Sequence, residues 1–149
     1  MKTLFDPRDR DEILGRLATL QPATARQWGK MDAAQMCAHC SLALEAATGD
    51  RPSRQKLFCK ILAPFFRKSL LGEKPFGRNS PTDPLLIVAD PRDFEAERAR
   101  LTAVIHRFGN GGPEKATNAV HAFLGPLDGA EWGRIMHKHL DHHLRQFGG

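Results

Sequence analysis

The chain has 149 residues, 41% of them hydrophobic and 26% charged, with a formal net charge of +5. That length suits one domain, residues 1–149, with a core of its own, and that balance excludes a disordered or membrane-spanning class. The basic residues are spread along the chain without an aromatic-rich strand motif or a DNA-reading helix pair, so no nucleic-acid partner is expected. The longest apolar-rich stretch, Leu57–Leu71, is interrupted by Lys60, Pro64, Arg67 and Lys68 and is no transmembrane span. The opening MKTLFDPRDRDE carries acids where a secretory signal needs an apolar run, and three cysteines offer no disulfide framework. A cytoplasmic location is the expectation.

Asp6 before Pro7 puts a capping acceptor ahead of a proline at the first helical position. Ile13, Leu14, Leu17 and Leu20 follow at helical spacing, which predicts a first helix closed by Pro22. Trp28, in the connection beyond it, is the expected packing anchor. Asp32 and Gln35 form a capping box that opens a helix over residues 33–48, about 24 Å long, with Gly49 at its end. Met36, His39, Cys40, Ala43, Leu44 and Ala47 line its inner face, so His39 stands mid-helix among small and apolar side chains. Cys37 and Cys40 make a C-x-x-C, but no strand precedes it as a redox site of that kind requires, and buried thiols are expected.

Ser53 is positioned to cap a third helix, QKLFCKILAPFFRKSLL, which Pro64 should kink or split. Leu57, Phe58, Ile61, Leu62, Phe65 and Phe66 form a wide stripe, and Lys56, Lys60, Arg67 and Lys68 make this the most basic amphipathic stretch. Such a pattern predicts a core helix with a solvated basic face, ahead of a helix on an anionic membrane or in a partner groove. No stable membrane association is therefore expected. Pro75, Gly77, Pro81 and Pro84 make residues 72–89 a long irregular loop whose Phe76, Leu85, Leu86, Ile87 and Val88 need burial. Asp90 before Pro91 opens a fourth helix with Phe94, Leu101, Val104, Ile105 and Phe108 on its core face and Gly109 at its end. His121 and Phe123 follow in a connection, where His121 is expected at the surface. Five helical segments without an internal repeat predict an all-α bundle.

The last segment, residues 128–147, holds four of the chain's seven histidines. Asp128 and Glu131 form another capping box, so the helix starts near Gly129. At about 100° per residue, Trp132, Ile135, Met136, His139, His143 and Gln146 share one stripe, with His142 at its edge and His137 roughly opposite, towards water. His139 and His143, four residues apart, can reach a single metal ion. His39 would complete a three-imidazole face with an open position, the arrangement of a catalytic rather than a structural site. Helical geometry does not itself bring the two helices together.

Three stretches, MDAAQMCAHCSLALE, HAFLGPL and EWGRIMHKHLDHHLRQFG, resemble a subfamily, domain of unknown function 1569, of the DinB/YfiT-like metalloenzyme superfamily. The resemblance covers most of the chain from about Trp28 onward. It implies a DinB-like four-helix bundle of up-down-down-up type, here with an accessory helix and long loops, commonly a homodimer, with a divalent metal held by three histidines near one end. Matched residue by residue, those ligands are His39, His139 and His143. His121 matches a recurring His-Pro, but Ala122 stands in place of the proline. Members of the superfamily include thiol-dependent transferases and isomerases whose metal stabilises a low-molecular-weight thiol as thiolate.

Together these readings lead to a metal-dependent enzyme with zinc or nickel at the three histidines. Its small-molecule substrate would be an electrophile accepting a low-molecular-weight thiol, or a compound hydrolysed by activated water. The alternative is a non-catalytic dimeric bundle with a structural metal or a ligand-binding pocket. His121 and His142 remain open as participants. No general base stands out, because Glu45 points away from His39 on the same helix.

Overall fold

Capping chemistry sets where the helices begin. The computed structural model describes residues 1–55, 57–116 and 119–149; Lys56, counted above in the basic stretch, lies outside them. In α1 (Pro7–Thr19) the Asp6 carboxylate accepts from the Arg8 amide at 2.8 Å, with Pro7 at the first helical position. In α2 (Ala33–Ala47) Asp32 accepts from the Gln35 amide at 2.8 Å, and the Gln35 side chain accepts back from the Asp32 amide at 3.0 Å. The same reciprocal pair, Asp128 with Glu131, opens α5 (Gly129–Gln146). Each box satisfies two amides that have no partner inside the helix.

The remaining elements are α3 (Leu57–Leu71), a 3-10 turn at Pro84–Leu86, α4 (Phe94–Ala116) and a two-residue antiparallel pair, β1 (Val120–His121) with β2 (Gly125–Pro126). The described chain is therefore mostly helical, in agreement with an all-α class. α4 is opened by Asp93, whose carboxylate accepts from the Ala96 amide at 2.8 Å, rather than by Asp90. Gly109 does not end it. The helical run passes through Gly109 and breaks at Gly112, where φ is 71°. Gly109 is there for close packing: a Cβ at that position would strike the Arg10 guanidinium.

α2 lies along α4, α5 touches α1, α2 and α4, and α1 also meets α4. Leu4, Ile13, Leu17, Met36, Leu44, Leu101, Ile105, Phe108, Ile135 and Leu144 form the dry centre, with the Phe5 ring stacked on Phe108 at 5.0 Å between centroids. Cys37 and Cys40 are buried in it as free thiols, and burial raises the Cys37 thiol to about 12 and Cys40 further above its ordinary value.

Two expectations about apolar burial fail. α3 is not a core helix: none of its residues is fully buried, Leu57, Phe58, Ile61 and Phe65 are each at least 68% exposed, and Pro64 does not divide it. Each such side chain forgoes roughly 1.5–3 kcal/mol that burial would contribute. In the loop that follows, Val88 is buried and Phe76 and Leu86 half-buried, but Leu85 and Ile87 face outwards. The 3-10 turn is the reason, because it aims Leu86 inwards and its neighbours away.

Candidate metal centre

α2 and α5 meet where His39, His139 and His143 stand, and ring nitrogens of all three lie within 4.8 Å of one another. The ring centroids form a nearly equilateral triangle, 5.0 Å from His39 to His139 and 4.7 Å on the other two sides. His39 and His143 are buried, and His139 is half-buried with one edge on a cavity.

The proton positions follow from the partners. Nδ1 of His39 is 2.8 Å from the Leu86 carbonyl, which can only accept, so His39 carries its proton there and its Nε2 is a bare lone pair. On α5, Nδ1 of His143 is 2.9 Å from Oε1 of Gln146, and the Gln146 amide nitrogen donates to the Trp28 carbonyl at 2.7 Å. That chain fixes the amide's orientation, puts the His143 proton on Nδ1 and frees its Nε2. Histidines that bind metals hold their second nitrogen in this way.

His139 Nε2 lies 3.0 Å from His39 Nε2, while the buried Nδ1 of His139 has no hydrogen-bond partner among the described residues. If His139 donates through Nε2, its Nδ1 is left a buried lone pair. If the proton sits on Nδ1, two lone pairs face each other. A cation between the rings relieves that repulsion, and ligand nitrogens about 2.0–2.1 Å from a tetrahedral zinc would lie roughly 3.3 Å apart. The three histidines therefore could hold a metal ion. Burial, followed by the neighbouring rings, pushes His139 well below its ordinary value; burial pushes His143 down to about 3 and lowers His39. All three are neutral near pH 7, the form a metal requires.

Comparison with known proteins adds one match. The family described as a protein of unknown function (DUF1569) covers residues 3–148. The chain belongs to the DUF1569 family. No curated protein and no solved structure matches it.

In this DUF1569 chain the three rings open on a cavity of about 360 Å³, walled by Trp28, Phe76, Phe123, Ile135 and Met136 among others. His142 sits at its rim between the rings of Trp28 and Phe76, at 5.7 and 5.9 Å. His121 is half-buried rather than exposed. The β1–β2 turn folds it in beside Trp132 at 5.6 Å, its Nδ1 accepts from the Phe123 and Leu124 amides at 3.1 and 3.2 Å, and burial lowers it to about 4. It lines the cavity without joining the close trio.

His137 also departs from expectation. It is 6% exposed, because α1 covers the side of α5 opposite His139. Sequence reasoning missed Leu86, whose contribution is a backbone carbonyl, and Asp83, a buried carboxylate that caps the 3-10 turn and lines the cavity. Gln146 had one signal, its place three residues after His143 on the same stripe.

Proposed function

We propose that His39, His139 and His143 hold a divalent metal, zinc or nickel, and that the chain is a metal-dependent enzyme of the DinB/YfiT-like superfamily. The fold proposed with it is the up-down-down-up four-helix bundle as a single domain, residues 1–149, with α3 accessory. One observation carries the reading: two buried imidazoles with committed Nδ1 atoms turn bare Nε2 lone pairs towards a third ring at the edge of a cavity. Three such ligands leave a position open for an exogenous group. When bound, the metal supplies a lowered pKa to a coordinated low-molecular-weight thiol or water.

The chain's own residues bind and orient. The apolar walls exclude water, and about 360 Å³ suits a small electrophile or ester rather than a polymer. With Nδ1 committed to two amides, His121 offers Nε2–H as a donor to a substrate oxygen, and Asp83 is the carboxylate on the same wall. A homodimer is proposed on the family resemblance alone, and light scattering tests it.

Protein purified without a histidine tag is expected to carry about one metal per chain, falling sharply in His39→Ala and His143→Ala. Turnover is then sought with low-molecular-weight thiols plus small electrophiles and with small esters. A metal-free protein that folds and resists added zinc overturns the reading. Bound metal with no turnover across both panels points instead to a non-catalytic bundle with a structural metal or ligand pocket.

A further inference from the structure

We propose that the outward face of α3 docks reversibly on an anionic phospholipid surface. Leu57, Phe58, Ile61 and Phe65 are 76, 70, 68 and 78% exposed. Helical geometry sets them within an arc of roughly 100°. The helix is held to the protein by its other side: Arg67 pairs with Glu131, and the Lys138 ammonium donates to the carbonyls of Ser69, Leu70 and Gly72 at 3.0, 3.1 and 2.9 Å. Leu70 and Leu71 pack against the core. α3 is thus a docked helix that presents its apolar stripe outwards.

Charge decides what covers that stripe. Residues 51–72 contain Arg51, Arg54, Lys56, Lys60, Arg67 and Lys68 and no Asp or Glu. Lys60 and Lys68 are exposed beside the apolar side chains. A second copy packed face to face about a two-fold axis would set this lysine-bearing face against the same face of its partner, with no carboxylate in residues 51–72 to offset the like charges. An anionic bilayer reverses the sign. The aromatic and aliphatic side chains enter the boundary between headgroups and acyl chains while the lysines reach up to phosphates. At 15 residues α3 is too short to span, and among the described residues no helix is long and apolar enough to cross a membrane. The association is therefore peripheral and weakens with salt. This inference does not depend on the metal reading.

The test is co-sedimentation of the full chain with vesicles of phosphatidylcholine alone and of equal parts phosphatidylcholine and phosphatidylglycerol, at low and high salt. Wild type is expected to pellet with the anionic vesicles at low salt only. Phe58→Ser/Phe65→Ser and Lys60→Glu/Lys68→Glu should each weaken that binding by at least about tenfold. Both pairs lie on the surface, and unchanged helicity by circular dichroism shows that they leave the fold intact. Wild type that ignores anionic vesicles at low salt overturns the proposal, as do two double variants that pellet like wild type. A dimer that Phe58→Ser/Phe65→Ser converts to monomer without any lipid binding also overturns it, and assigns the face to a second copy.

Discussion

Gln146 holds His143 in register: its side-chain oxygen lies 2.9 Å from His143 Nδ1, while its amide nitrogen donates to the Trp28 carbonyl at 2.7 Å. Gln146→Leu removes the acceptor and leaves the imidazole free to rotate or change tautomer. Metal affinity is expected to fall about 10–100-fold, read by competition with a chromophoric chelator. Gln146→Glu keeps an acceptor for His143 but turns a carboxylate oxygen towards the Trp28 carbonyl in place of the donor, so it loses the Trp28 contact while keeping the one with His143, and its loss should be smaller. Equal losses in the two variants would show that the Trp28 carbonyl, not the contact with His143, governs the site.

A pH dependence follows from the same buried rings. Burial lowers His39, takes His121 to about 4 and His143 to about 3, and, with the neighbouring rings, puts His139 well below its ordinary value. In metal-free protein these groups stay neutral in the fold while the unfolded chain takes up protons below about pH 6.5, so the unfolded state binds more protons as pH falls. Their contribution is complete above that pH and is lost on going down towards the folded values, at about 1.4 kcal/mol per pH unit for each histidine. Urea midpoints measured with chelator present should drop from about pH 7 to about pH 5 and change little just above about pH 7. A midpoint that stays flat over the lower interval contradicts the burial of neutral imidazoles.

What the sequence made legible was local chemistry. Asp32 with Gln35 and Asp128 with Glu131 act within one turn of backbone, so the starts of α2 and α5 could be read directly. The 100° step likewise set His139 and His143 on one stripe, and the structure brings His39 to them. What the sequence hid was what each face meets. His137 is on the back of α5, and only the packing of α1 makes that side an interior. Amphipathic spacing required α3 to have an apolar stripe but carried nothing about its cover. Gly109 looks like a helix stop because the closeness of Arg10 is a tertiary fact. The acceptor for His39 is the backbone carbonyl of Leu86, a group every residue possesses.

Gly129 and Gly109 separate rigid from yielding contacts. A Cβ on Gly129 would strike the Pro113 carbonyl, which is backbone, whereas one on Gly109 would meet only the Arg10 side chain. Gly129→Ala must push the last turn of α4, at Pro113, away from the start of α5 and should destabilise by about 1–3 kcal/mol. For Gly109→Ala, displacement of Arg10 costs a hydrogen bond to the Leu4 carbonyl, and the gain in helix propensity of about 1 kcal/mol largely offsets it. Urea unfolding of the two variants should therefore differ clearly. Equal losses would mean that Arg10 is as fixed as backbone.

Lys138 closes the C-terminal end of α3 with three carbonyl acceptors, where a cation also meets the negative end of the helix dipole. Lys138→Met keeps an unbranched aliphatic side chain and removes the donors together with the ammonium that stands 4.6 Å from the Phe76 ring centre. Besides these bonds α3 is secured by the Arg67–Glu131 pair and by Leu70 and Leu71 against the core, with none of its residues fully buried. Amide exchange in residues 57–71 should speed up by about tenfold while α2 and α4 keep their protection. If protection falls equally in α2 and α4, Lys138 supports the whole fold rather than one helix. Because Leu70 of α3 lines the cavity beside the three histidines, a loosened α3 also loosens one wall of that cavity, and the variant links mobility of the surface helix to access to the centre.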